Sequence, residues 1–222
     1  MHSGLNNLIS IRNEVNKIIN EKQLKTNPKI IVISKTFSLN AIKPILDSGH
    51  VHFGENKIQE AEDKWSSIKN NNNNLQLHMV GKLQSNKAKK AIKLFDYIHS
   101  LDSTKLANKI SQYEKELNKK VKLFIQVNLG NEMQKTGVSV NDLNDFYNFC
   151  TKKLSLNIIG LMCLPPLDSN PEKYFINLSN LAKNLSLKDL SMGMSSDYKD
   201  ALINGSTFLR LGSIILGKRK SI

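Results

Sequence analysis

Ile30-Ile31-Val32-Ile33-Ser34-Lys35-Thr36 sets the reading of the whole chain. Four apolar, mostly β-branched residues in a row make a short strand covered on both faces, the pattern of a parallel sheet. A lysine follows at its C-terminal end. Closed barrels and open parallel sheets carry their chemistry at that end of the strands. A lysine amine is ordinarily charged at neutral pH. Desolvation or a neighbouring cation lowers its pKa and turns it into a nucleophile towards carbonyl compounds. On this stretch alone the other reading stays open, a lysine that reaches past the strand end to solvent.

Seven further β-like runs follow: Val51–Gly54, Leu75–Val80, Tyr97–Leu101, Val121–Asn128, Ile158–Leu164, Asp189–Met192 and Phe208–Leu211. Amphipathic stretches near 39–48, 56–68, 85–94, 103–118, 141–153, 172–185 and 197–204 separate them, and a short last helix is expected after Ile214. Strict alternation of strand and helix predicts parallel strands joined by helical crossovers. Eight strands predict an α/β fold, a single (β/α)8 barrel of the TIM type over residues 1–222. A doubly wound open sheet is the alternative that periodicity leaves open. Ahead of the first strand, residues 5–22 place Leu5, Leu8, Ile9, Val15, Ile18 and Ile19 at helical spacing, which adds an N-terminal helix. Its polar face mixes Glu14 and Glu21 with Arg12, Lys17 and Lys22, so it reads as a packing helix and not as a membrane-surface one. Asn70–Asn74 reads as a solvated loop.

Composition narrows the class without naming a function. The chain carries 40% hydrophobic and 23% charged residues, the balance of an ordinary soluble globular protein. No run approaches the roughly 18 apolar residues of a membrane span, and the N-terminus lacks a secretory pattern, so a cytoplasmic protein is expected. Cys150 and Cys163 lack metal or redox spacing and read as buried thiols. The net charge of +13 asks for an anionic partner, whether phosphate ligand, acidic protein or nucleic acid. The lysines are scattered, aromatics are only 6%, and no nucleic-acid motif is present, so no nucleic-acid partner is expected. The basic tail after Gly217 reads as a solvated end.

A barrel would gather its strand ends on one face: Lys35; Glu55 and Asn56; Gly81, Lys82 and Gln84; Asn128; Gly193, Ser195 and Ser196; Arg210, Gly212 and Ser213. Gly193-Met194-Ser195-Ser196-Asp197 ends one strand and opens a helix, and Gly212-Ser213 repeats the arrangement one strand later. Hydroxyls and unpaired backbone N–H groups at such turns favour an anion, and barrels of this type often hold phosphate there. Plain N-capping by Ser195 or Ser196 is the competing reading. Arg210 closes an apolar strand, where an arginine either pairs with a carboxylate or faces a ligand. Lysine, phosphate cradle and arginine together suggest a phosphorylated aldehyde held as an imine.

These pieces closely resemble the pyridoxal phosphate homeostasis family, whose fold is similar to the barrel domain of alanine racemase. The resemblance rests on Val-Ile-Ser-Lys-Thr (32–36), Phe-Gly-Glu-Asn (53–56) with Gln59-Glu60, and Gly-x-Leu-Gln-Ser-Asn-Lys (81–87). It continues through Gln-Val-Asn (126–128), Glu-x-x-Lys-x-Gly (132–137), Gly-Leu-Met (160–162), Met-Gly-Met-Ser-Ser-Asp-Tyr (192–198) and Arg-Leu-Gly (210–212). It implies a fold type III barrel binding pyridoxal 5′-phosphate (PLP), with Lys35 holding it as a Schiff base. By the same resemblance Asn56 contacts the ring side, Ser195, Ser196, Gly212 and Ser213 the phosphate, and Arg210 the pyridine nitrogen. His78 is either pocket lining or a core histidine. Phe37, Leu77 and Lys82 depart from the usual pattern and put loop contacts and regulated release in question.

The resemblance implies a monomeric carrier that buffers PLP or delivers it to PLP-dependent apo-enzymes, without robust catalysis and without a metal. The alternative is an amino-acid racemase. That activity needs a second base, a tyrosine from an additional C-terminal domain, which is not expected in this chain.

Overall fold

The computed structural model describes residues 3–130, 136–166 and 169–217. Residues 132–135 of the Glu-x-x-Lys-x-Gly stretch and the tail from 218 onward lie outside the described residues. Among the described residues nine strands form: β1 (Lys29–Ile33), β2 (His52–Glu55), β3 (Gln76–Met79), β4 (Tyr97–Leu101), β5 (Lys122–Asn128), β6 (Val138–Ser139), β7 (Ile158–Met162), β8 (Asp189–Ser191) and β9 (Phe208–Leu211). The helices among the described residues are α1 (Ser3–Glu21), α2 (Leu39–Asp47), α3 (Ile58–Asn71), α4 (Ala88–Leu94), α5 (Thr104–Glu116), α6 (Leu143–Asn148), α7 (Glu172–Asn184), α8 (Tyr198–Ile203) and α9 (Ser213–Leu216).

Eight of the strands run parallel in the order β1-β2-β3-β4-β5-β7-β8-β9, and β9 returns to pair with β1. The sheet is therefore a closed barrel, and the open-sheet alternative falls. Every run expected from the sequence became a barrel strand. β6 is the addition, a two-residue pairing of Val138 and Ser139 with Val127 and Asn128, too short to leave a periodic signal.

Alternation along β1 explains its unbroken apolar run. Ile31 and Ile33 face the barrel interior with Tyr97, Phe124, Met162 and Phe208. Ile30 and Val32 pack outward into the larger layer between strands and helices. The interior is filled by stacked rings: His78 lies over Tyr97 at 4.3 Å between centroids, and His99 over Phe124 at 4.4 Å. Outside, α1 buries Leu8, Ile11 and Val15 and packs against α2, α8 and α9, with the Asn7 amide donating to the Ile215 carbonyl at 3.0 Å. It is a flank helix, as its mixed polar face indicated. Cys150, in a π-helical turn after α6, and Cys163, just past β7, are buried and unbridged. Burial pushes both thiols up to about 12.

Gly160 lies where two strands meet most closely. A Cβ there would sit 2.0 Å from the Asp189 carbonyl oxygen on β8. Gly160→Ala is expected to lower unfolding stability by about 1–3 kcal/mol or more, read as a lower urea midpoint. An unchanged midpoint would show that the two strands can separate without cost.

Candidate functional site

At the C-terminal ends of the strands a cavity of about 720 Å³ opens. Lys35, Asn56, Ser195, Ser196, Arg210, Gly212 and Ser213 all line it, joined by Gly81, Lys82 and Asn128 from the wider strand-end set. Ile33, Val80, Val127 and Leu164 give it apolar walls, and Gln126 and Thr136 add polar groups that the sequence reading left out. Gln126 could have been found, because it alternates with Phe124 along β5, though its facing depends on a register that no single strand reveals.

Lys35 sits on a clamped turn. Before it, the Ser34 hydroxyl donates to Glu55 Oε1 at 2.8 Å, and the Ser34 carbonyl accepts from Lys64 Nζ at 2.8 Å. After it, Thr36 holds a left-handed backbone with φ +69°, and its N–H donates to the Glu60 carboxylate. Such a conformation is costly for a β-branched residue and persists only where its surroundings enforce it. The enforcing group is a buried ion pair: Lys64 Nζ lies 2.8 Å from Glu55 and 3.0 Å from Glu60. The Trp65 indole adds a third donor to Glu55 Oε1 at 3.0 Å. Glu55 therefore lies beneath the cavity as its support and does not line it.

The phosphate-type corner is built differently from simple capping. Gly193 adopts φ +91°, and a Cβ there would meet Ala201 Cβ at 2.6 Å, so the turn requires glycine. Helix α8 begins at Tyr198 with no side-chain cap. Asp197 instead accepts from the Met194 N–H at 2.5 Å. The Ser195 hydroxyl oxygen accepts from the Gly212 and Ile214 N–H groups, each at 3.3 Å. One serine thus ties the loops after β8 and β9 together, and their hydroxyls and amides converge on one side of the cavity.

Arg210 is 5% exposed, and among the described residues no carboxylate pairs with it. Its guanidinium donates to Ser191 Oγ at 2.7 Å and to the Cys163 carbonyl at 2.9 Å. Carboxylate pairing, one of the two readings offered by the sequence, is not seen among the described residues, and Arg210 lines the cavity. Past the end of β2, Asn56 Oδ1 is buried without a hydrogen-bond partner. Gly81 is what lets β3 approach it, since a Cβ there would fall 2.3 Å from the Asn56 carbonyl oxygen.

His78 is placed elsewhere. It is fully buried in the barrel interior and is not among the cavity-lining residues. Its Nε2 lies 3.0 Å from His52 Nδ1, and its Nδ1 lies 3.0 Å from His99 Nε2. Burial drives His78 and His99 well below the ordinary histidine value. Desolvation likewise lowers His50 and His52 to about 4. Of the residues that depart from the family pattern, Leu77 is fully buried in the outer core, while Lys82 lines the cavity.

Comparison with known proteins gives one consistent answer. The family described as "Alanine racemase, N-terminal domain" matches residues 7–220. A pyridoxal phosphate homeostasis protein of Aquifex aeolicus is 34% identical over 201 residues, 86% of this chain and 87% of that one. One from Synechocystis is 35% identical over 205 residues, 88% and 94% of the two chains. PipY of Synechococcus elongatus, solved with PLP bound, is 33% identical over 91% of this chain and all of its own, with a TM-score of 0.79. An alanine racemase of Clostridium difficile shares only the fold, at 15% identity and a TM-score of 0.66, over 91% of this chain and 56% of its own.

The four lowered histidines fix a pH dependence. Each has a folded-state pKa below its unfolded value near 6.5, so the unfolded chain binds more protons as pH falls below that value. Stability should be complete above about pH 7 and decline towards pH 5, by up to roughly 1.4 kcal/mol per pH unit for each histidine that stays neutral. Urea unfolding at a series of pH values checks this; a flat profile from pH 7.5 to 5 would contradict it.

Proposed function

This chain belongs to the alanine racemase N-terminal domain family and, within it, to the pyridoxal phosphate homeostasis proteins, and from that premise we propose that it holds PLP on Lys35 and buffers or delivers it. The observation that carries the reading is the cavity itself, where Lys35, the buried Arg210 and a hydroxyl-and-amide corner converge. PLP, when bound, would supply an electrophilic aldehyde carbon, and Lys35 would hold the group through its amine.

The residues present fit that group. Ser195, Ser196, Gly212 and Ser213 would hold its phosphate, at a corner where two loops already present hydroxyls and backbone N–H groups. Asn56 Oδ1 is a buried acceptor awaiting a donor, as the ring side of the group would require. Arg210 would face the pyridine nitrogen. A guanidinium only donates, so it favours an unprotonated nitrogen there. That weakens the ring as an electron sink and supports the reading of a carrier without robust catalysis.

The same reading makes the protein a cytoplasmic monomer whose recipients are PLP-dependent apo-enzymes. Among the described residues no helix is long and apolar enough to cross a membrane.

A visible absorption spectrum of the purified protein with PLP, beside Lys35→Ala, tests the cofactor site. A Schiff-base band is expected in the parent protein and its loss in the variant, with borohydride reduction and peptide mapping placing the adduct on Lys35. No band, or an adduct spread over surface lysines, would defeat the reading. Sustained amino-acid racemization by the loaded protein would defeat its carrier half.

A further inference from the structure

Beside the Lys35 cavity lies a second one of about 750 Å³, and Lys82 and Thr136 line both. Its walls come from the 3₁₀ turn after β3, from Asp102 just past β4, and from Ser103 and Lys105 at the start of α5. The junction between the two cavities is firmly held. Gln126, buried on β5, donates through Nε2 to the Thr136 carbonyl at 3.1 Å and to Thr136 Oγ1 at 2.9 Å. Gly137 follows with φ +130°, and a Cβ there would fall 2.8 Å from the Asn128 nitrogen. Thr136 is thus pinned against β5, and its hydroxyl, having accepted from Gln126, keeps a proton to give.

The charges of this second cavity are unmatched. Among the described residues Asp102 is its one carboxylate, and Lys82 and Lys105 are its two cations. None of the three forms a salt bridge among those residues. Asp102 is partly buried. Burial pushes its carboxyl up, while the Ser103 hydroxyl and the charge of Lys82 draw it back down. A carboxylate taken partly out of water with no cation against it is costly, and a bound ammonium would relieve that cost. The two lysines offer only donors, which suit carboxylates. Two cations against one carboxylate leave one positive charge in excess. A ligand with one ammonium and two carboxylates cancels it.

We propose that this second cavity binds a free acidic amino acid, its ammonium against Asp102 and its two carboxylates against Lys82 and Lys105. A neutral amino acid leaves one lysine unmatched, and a dicarboxylate without an amine leaves Asp102 unmatched, so both are discriminated against. Inorganic phosphate would set its charge beside Asp102 and is disfavoured for the same reason. The site goes beyond the reading of PLP in the Lys35 cavity and does not depend on it. What it adds to that reading is place. A ligand carrying a primary amine would be seated where the two cavities join, at the edge of the space that Lys35 lines.

Amide ¹H–¹⁵N spectra of the full chain, titrated with L-aspartate and with L-glutamate, test the proposal. The Ser103, Lys105 and Thr136 signals should shift saturably with at least one of the two. Succinate and glutarate, the same dicarboxylates without the amine, should bind at least about tenfold more weakly, and so should L-alanine. Asp102→Asn should abolish the preference over the dicarboxylates, and Lys105→Gln the preference over alanine. Neither residue lines the Lys35 cavity, so each variant probes the second cavity alone. No saturable shift with either acidic amino acid would overturn the site, and so would either preference surviving its variant. Shifts led by Asn56, Ser195 and Gly212, and lost in PLP-loaded protein, would place the ligand in the Lys35 cavity and overturn it too. Failure of the protein to take up PLP, seen as no absorption band, would count against the cavity reading alone, and the Ser103 and Lys105 shifts would still decide this one.

Discussion

A guanidinium removed from water is the constraint around which the barrel is arranged. Burying a charge is tolerable only where hydrogen bonds replace hydration. Arg210 meets that demand with a hydroxyl and a carbonyl, not with a carboxylate. A carboxylate partner would neutralise the charge and turn it away from the cavity. Ser191 and the Cys163 carbonyl hold the group while leaving its charge available to a ligand. Ser191 must then find an acceptor for its own proton, and His99, His78 and His52 follow from that requirement. The polar interior of this barrel is thus one connected consequence of a single cation.

A second buried cluster serves the neighbouring strand, β1, which pairs with β9. Glu55, Lys64 and Glu60 hold the residues on either side of Lys35, and the left-handed Thr36 fixes the direction in which the chain leaves β1. Removing one partner of such a pair leaves a buried charge alone, which typically costs about 3–5 kcal/mol. The clamp therefore makes the lysine's position part of the folded core. It is no loop accident. Together, arginine and clamp place two fixed points at the ends of neighbouring strands on the wall of one apolar-lined space.

Much of this was legible in the sequence because it is local. Each barrel strand is a short β-branched or apolar run, and Lys35, Ser195, Ser196, Arg210, Gly212 and Ser213 are recognisable from the strand end on which they sit. What depends on register was not legible. His52, His78 and His99 stand on three successive strands, and only the closed sheet shows that their rings point inward and meet. The sequence accordingly leaves His78 open between pocket lining and core, and the pleat directs it into the interior. Lys64 lies one helix away from Lys35, and nothing in the spacing of α3 says that it reaches back to the Ser34 carbonyl. The β6 pairing is two residues long, below what any period can reveal.

The central claim is that one lysine, one arginine and one two-loop corner form a single site for one molecule. A crystal structure of the PLP-loaded protein tests it most directly. The account predicts density continuous with Lys35 Nζ, the phosphate against Ser195, Ser196, Gly212 and Ser213, and Arg210 facing the ring nitrogen. A phosphate bound away from that corner, or a covalent link to another lysine, would contradict it.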